Sequence, residues 1–304
     1  MRDPRGAKGI KRYLGKIKKE YSSLSPKDKK LFDKEKLTNP YSDTRLLHGN
    51  PNKQIKNVMV GIDVDTQELL LALALSKKGK KIDLLISHHP QGFARGMFHE
   101  VMNVQADIFK SLGVPAKKAE KLLDERMIEV ARKGHAANNM RPLDAARLLD
   151  MPYMCAHTVA DNCVVDYLKK LIKRKRPRTV QNLIDIISSE PEYKDAILTH
   201  AGPKLILGKP SNKCGKVFVD MTGGTEGPKK IFADLAKAGV KTIIGMHMSE
   251  EHFKIAKKYK LNILIAGHIS SDNLGINLLL DAIDKKRSLN IIECSGFRRV
   301  KRKA

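Results

Sequence analysis

Three apolar runs in this chain stop at histidine, and that recurrence constrains the fold more than any other feature. Residues 82–86 are apolar except for Asp83 and run into Ser87-His88-His89-Pro90. Lys77-Lys78-Gly79-Lys80-Lys81 comes before them, so the stretch reads as a basic turn, a buried strand and a surface loop. Met154-Cys155-Ala156 leads to His157, with Asp161 four residues on. Residues 263–267 lead to His268, with Asp272 four residues on. At a strand exit the backbone turns, so adjacent imidazoles such as His88 and His89 can face different partners. Imidazole and carboxylate suit zinc, iron and manganese alike, and a site with several carboxylates can hold two ions. A lone His-His pair is more often a solvated turn. What raises the odds of a metal site is the set of three strand ends.

With 304 residues, 41% of them hydrophobic, the chain can build two modest domains or one large one. No apolar run approaches the roughly 20 residues needed to span a bilayer. Met1-Arg2-Asp3-Pro4-Arg5 lacks the apolar core of a signal peptide. The cysteines show no CxxC or zinc-ribbon spacing, which points to reduced thiols in a cytoplasm. The net charge of +25 favours anionic partners, whether nucleotides, phosphorylated metabolites or nucleic acid. A lysine-rich surface adapted to a hot cytoplasm accounts for the charge equally well.

Residues 1–36 are strongly basic, with Ile10, Tyr13, Leu14, Ile17 and Tyr21 at helical spacing. Their lysines make nucleic acid a candidate partner, although a stripe packed on the main body explains the pattern more simply. Ser25-Pro26 reads as an N-cap opening a second helix. Strands are expected at 45–48 and 57–64, a helix capped by Asp65 at 66–76, and the strand 82–86 parallel to its predecessor. The leucines and alanines of 66–76 suggest a buried helix. Helices are expected at 100–112, 115–132 and 143–149, and a strand at 152–157. Beyond 164 come a helix ending in Lys173-Arg174-Lys175-Arg176 and another over 180–187. From Lys216 strands at 217–220, 242–245, 262–266 and 289–294 alternate with helices at 229–238, 250–258 and 273–283. The glycine-rich loop 223–228 matches neither phosphate-binding fingerprint and reads more simply as a turn than as a phosphate cradle.

These elements imply an α/β protein, a three-layer α/β/α architecture with mixed sheets and two similar halves joined by a helical connector. The boundaries drawn from the sequence are a basic helical extension at 1–41, a first half at 42–163, a connector at 164–212 and a second half at 213–304.

Ser87-His88-His89-Pro90, Ala156-His157-Thr158-x-x-Asp161, Gly223-Gly224 before a helix and Gly267-His268-x-x-x-Asp272 occur here in order. In this the chain resembles the dinuclear-metal, ring-forming hexamer family of NGG-one-interacting factor three-like proteins, or GTP cyclohydrolase I type 2 homologs. The likeness runs from about Ser42 to Phe297. It implies two divalent metal ions per subunit (zinc, iron or manganese) held by His88, His89, Asp161, His268 and Asp272, and a homohexamer. His157 would be a further ligand or would orient one. The family usually carries glutamate where Asp272 stands, one methylene longer. His247 and His252 fall where the family lines its cavity.

The function expected on this basis is metal-dependent hydrolysis of a nucleotide or other anionic substrate, with His157 and His247 as candidate proton donors. The alternative is a non-catalytic metal-binding regulatory or scaffold assembly that engages protein or nucleic acid. No membrane association is expected.

Overall fold

The computed structural model describes residues 2–302. Two basic helices open the chain, α1 (Gly6–Ser23) and α2 (Pro26–Leu31). Ser25 caps α2 by accepting the Asp28 N–H at 3.2 Å, as its Ser-Pro start requires. Tyr13, Ile17 and Tyr21 are half-buried, while Lys8, Lys11, Arg12, Lys18 and Lys19 remain in solvent. The segment is anchored at its start by a buried 2.7 Å ion pair between Asp3 and Arg5. The Tyr41 hydroxyl donates to Asp3 and accepts from Asn162 Nδ2 at 3.1 Å.

Next come β1 (Thr44–His48), β2 (Asn57–Gly61), α3 (Thr66–Lys77) and β3 (Leu84–Ser87). Asp65 and Glu68 form a capping box on α3. Helices α4 (Gly92–Gly96), α5 (Asn103–Ser111), α6 (Ala116–His135) and α7 (Arg141–Leu148) lead to β4 (Tyr153–Ala156). Then follow α8 (Thr158–Lys175), α9 (Val180–Ser188), α10 (Pro191–Leu198) and β5 (Lys204–Leu207). The last third alternates: β6 (Lys216–Asp220), α11 (Ile231–Lys237), β7 (Val240–Gly245), α12 (Glu250–Lys258), β8 (Asn262–Ile265), α13 (His268–Asp284) and β9 (Asn290–Glu293). Among the described residues no helix is long and apolar enough to cross a membrane.

The strands form two mixed sheets, β1-β4-β3-β2-β9 and β5-β8-β7-β6, within a three-layer α/β/α fold. In each sheet the first-numbered strand is antiparallel to its neighbour, and the next three run parallel. The order β1-β4-β3-β2 therefore repeats as β5-β8-β7-β6. Strand β3 is buried from end to end, as expected of a parallel strand covered on both faces.

Several details differ from the sequence reading, and for the strands the reason is a long-range pairing that no local pattern encodes. The last strand does not belong to the second half: β9 pairs with β2 and closes the first sheet. The stretch taken as a connector supplies β5 to the second sheet, and α10 within it was not expected. Helix α8 starts at Thr158, so Asp161 sits in its first turn. Helix α3 buries only Leu69 and Ala72, leaving Leu70 and Leu71 about half exposed. It is a one-faced helix, not a buried one.

The helices that follow β4 and β8 pack directly against one another. Gly275 sets their spacing, because a Cβ there would lie 2.8 Å from the Ala160 carbonyl oxygen and 2.9 Å from Val164 Cγ2. In an open helix Gly→Ala would stabilise by about 1 kcal/mol. Here Gly275→Ala should instead destabilise by about 1–3 kcal/mol, through overpacking against backbone. It should also weaken metal binding, since α8 and α13 carry Asp161 and Asp272. Urea unfolding and metal titration of the variant test both effects, and a gain in stability would show that the helices can part freely.

Candidate metal centre

The three histidine-bearing strand ends meet between the two sheets. His88 and His89 follow β3, His157 joins β4 to α8, and His268 opens α13 directly after β8. Gly267 makes that last turn in one residue, at φ +113°, where a Cβ would meet the Ala201 carbonyl oxygen at 2.8 Å. Because α13 begins at His268, Asp272 lies inside the helix and is not its N-cap.

Asp272 is fully buried, and each of its oxygens faces a different set of side chains. Oδ1 lies 3.3 Å from His88 Nε2, which is itself 3.4 Å from Asp161 Oδ1. Oδ2 lies 3.4 Å from His89 Nε2 and 3.7 Å from His268 Nε2. His157 Nε2 is 3.8 Å from Asp161 Oδ2. The structure thus brings together all five expected ligands and His157. Three overlapping groups result, His88–His89–His157, His89–His268–Asp272 and His88–Asp161–Asp272, each with donor atoms within 4.8 Å and able to hold a metal ion.

The donor atoms pass a direct test of fit. His88 Nε2, Asp161 Oδ1 and both Asp272 oxygens are buried without any hydrogen-bond partner. Orphaned polar atoms of this kind call for a ligand. Two donors bound at about 2.1 Å to one tetrahedral ion stand about 3.4 Å apart. The 3.3 and 3.4 Å separations around His88 match that spacing.

Acceptors on the far side of three rings aim them inward. His88 Nδ1 is 3.2 Å from the Ala156 carbonyl oxygen, His89 Nδ1 is 2.6 Å from Asp63 Oδ1, and His157 Nδ1 is 2.8 Å from Asp43 Oδ2. Carbonyls and carboxylates only accept, so each Nδ1 carries the proton and each Nε2 keeps its lone pair for the centre. Asp43 is fixed in turn by the Thr158 hydroxyl at 2.6 Å. His157 thus turns Nε2 toward the centre, in one group with His88 and His89.

The charges reinforce one another. Burial alone would raise the Asp272 carboxyl, but His88, His89 and His268 hold it far below the usual carboxylate range. Burial likewise opposes a charge on His88, yet Asp272 and Asp161 raise it well above an ordinary imidazole, and a cation at Nε2 would take the place of that second proton.

Beside these residues the centre opens into a cavity lined also by Asp220, Thr222, Glu226 and His247. His247 lies at its edge, with its ring 5.2 Å from that of His268 and Nδ1 3.8 Å from Glu226. His252 is not free to act there, being held between Ser249 Oγ at 2.6 Å and the Gly227 carbonyl oxygen at 2.9 Å. The glycine-rich loop is likewise committed, for Gln105 Nε2 donates to the carbonyls of Gly223 and Thr225 at 2.9 and 2.7 Å. Sequence reasoning missed Asp43, Asp63, Asp220 and Glu226. The one signal available was position, since Asp43, Asp63 and Asp220 border apolar strands.

The same arrangement of sheets occurs in known structures. A NIF3 superfamily protein from Sphaerobacter thermophilus matches with a TM-score of 0.72 and 27% identity, over 84% of this chain and 91% of that one. The chain has the NIF3-superfamily fold. The reduced HcgD of Methanocaldococcus jannaschii shares it at a TM-score of 0.51 and 16% identity, over 92% of this chain and 97% of that one. So does ybgI, a structural-genomics protein of unknown function, at 0.51 and 13%, over 94% and 97%. No family model matches the sequence, and no curated protein matches it.

The inward aim of His89 depends on Asp63, whose side chain is 68% exposed and so contributes little to the core. Asp63→Ala should therefore leave the melting temperature near that of the wild type while lowering metal affinity by about 10–100-fold. Calorimetric metal titration measures the loss. Unchanged affinity would show that His89 is oriented without its partner.

Proposed function

We propose that this protein binds two divalent metal ions per chain, zinc, iron or manganese, and hydrolyses a nucleotide or another anionic substrate. The observation that carries this reading is Asp272, a buried carboxylate whose two unpartnered oxygens face two separate imidazole sets. His88, Asp161 and Asp272 Oδ1 would hold one ion; His89, His268 and Asp272 Oδ2 would hold the other, with His157 beside the first. Two such ions lower the pKa of a shared water and neutralise charge on the scissile group.

The chain's own residues do the rest. Asp63, Asp43 and the Ala156 carbonyl fix the rings, and burial of Asp161 and Asp272 keeps competing water from the donors. The +25 charge draws anionic substrates toward the cavity. GTP cyclohydrolase-like ring opening and homohexamer assembly, both implied by the family resemblance, belong to the same reading.

Elemental analysis of single-site variants tests the ligand set. Asp272→Asn should lose metal, because its amide nitrogen cannot ligate and the charge balancing two cations is gone. Asp272→Glu should retain metal, since the longer carboxylate still offers two oxygens. Because asparagine keeps the size of the side chain, the Asn variant should stay folded by circular dichroism. Full metal occupancy in Asp272→Asn would remove Asp272 from the site. Nucleotides, phosphoesters and cyclic amides are then screened with each metal, and a screen without metal-dependent turnover would leave a metal-binding assembly in place of a hydrolase.

A further inference from the structure

A second cavity, of about 250 Å³, adjoins the metal cavity at the glycine-rich loop, where Thr225 lines both. Its basic groups come from separate segments. Arg95 lies in the last turn of α4, His99 follows that helix, and Arg126 and Lys133 belong to α6. Phe98 connects the two cavities as well, with its ring 5.4 Å from that of His157 and 5.5 Å from the Arg95 guanidinium carbon. Pockets for whole small-molecule ligands start at about 300 Å³. This one is sized for part of a ligand.

Positive charge exceeds negative here. Glu129 Oε2 meets Arg126 Nη1 and its Oε1 meets Lys133 Nζ, each at 2.7 Å. One carboxylate thus serves two cations, and Arg126 also donates its Nε–H to the Glu226 carbonyl oxygen at 3.2 Å. Among the described residues Arg95 has no acidic partner, and neither its guanidinium nor the His99 imidazole makes a hydrogen bond. A helix dipole draws cations to its own C-terminus, as for Lys133 at the end of α6. It gives no reason for cations of separate segments to line one cavity. Three permanent cations against one carboxylate leave two positive charges, the complement of a phosphate monoester at neutral pH.

We propose, resting on the hydrolytic reading, that this pocket holds a phosphate group of the substrate, remote from the bond cleaved at the metal centre. The substrate class is thereby narrowed to phosphorylated molecules. Arg95, free of any acid among the described residues, takes two phosphate oxygens with its planar fork. The Phe98 ring against it limits the directions the guanidinium can adopt. His99 offers one ring N–H in either tautomer, and Arg126 and Lys133 add charge. No bond forms or breaks in the pocket, so its whole contribution is binding and orientation.

Arg95 is exposed, so truncating it should leave the fold intact. Pyrophosphate is titrated calorimetrically into Asp272→Asn, whose expected loss of metal removes a competing anion site, and into the same variant carrying Arg95→Ala or Arg95→Lys. The comparison holds whatever metal remains, because all three proteins share it. Pyrophosphate should bind Asp272→Asn one to one, and Arg95→Ala should weaken that binding by about 10–100-fold. Arg95→Lys should restore part of it, since it keeps the charge but loses the fork. In the metal-loaded protein, Arg95→Ala should raise the KM for a phosphorylated substrate by a similar factor, with metal content at the wild-type level. Equal pyrophosphate affinity with and without Arg95 would overturn the pocket. Weakened pyrophosphate binding with no rise in KM would overturn its role toward the substrate alone. A wild type without metal-dependent turnover would overturn the hydrolytic reading and that role together, while the pyrophosphate titration still decides the anion site.

Discussion

A carboxylate sealed in the protein with no donor for either oxygen is the constraint that the rest of the site answers. An unpaired charge at this depth costs several kcal/mol, more than most surface features could offset. Asp272 survives there because His88, His89 and His268 converge on it from two strand ends and its own helix. Those imidazoles in turn must come in from fixed directions, which is the work of Asp63 and the Ala156 carbonyl on the far sides of two rings. Remove the central charge and the inward aim of the rings has no object. Remove the rings and the carboxylate is left stranded. Nothing in the surrounding core compels either arrangement, which is why it reads as a site and not as packing.

The repeat of strand order explains how such a site arises. Strand β4 leads through His157 to α8 and Asp161, and β8 leads through His268 to α13 and Asp272. Within the repeated order β3 corresponds to β7, so His88 and His89 stand where the second half has Met246 and His247. Each half thus offers a histidine after its third strand and a His-x3-Asp unit after its fourth. Gly275 lets α13 lie close on α8, and that closeness brings the two acidic units into one centre. An aspartate carried on so close a helix lies 3.3 to 3.7 Å from both imidazole sets.

Much of this was legible in the sequence because strand ends announce themselves. An apolar run that stops at histidine needs no tertiary information to be noticed, and the ligand candidates all lie at such stops or one helical turn beyond. The orienting partners were not legible, for Asp43 meets His157 across 114 residues and nothing local distinguishes it from any carboxylate near a strand. The same applies to β9, whose local pattern marks a strand but cannot say which sheet it joins. The start of α13 was misplaced for a different reason. Gly267 turns the chain so sharply that the helix has already begun at His268. Backbone geometry available to glycine alone moved the helix start by five residues, from Asn273 to His268.

The two sheets differ at one edge, and the difference bears on the cavity. In the first sheet β9 lies outside β2, and the chain beyond it crowds Gly61, where a Cβ would sit 3.0 Å from that of Ser295 and 3.1 Å from Cys294 Sγ. A side chain there would have to push its neighbours aside. The second sheet ends at β6, with no fifth strand outside it among the described residues, and the residue in the position matching Gly61 is Asp220. An open edge therefore leaves room for a side chain where the covered edge is crowded. That side chain projects a carboxylate into the cavity shared by both halves, where burial and Glu226 disfavour its charge. The asymmetry that breaks the repeat is thus the one that adds a carboxylate to the cavity wall, and a centre built from two equal halves would have none.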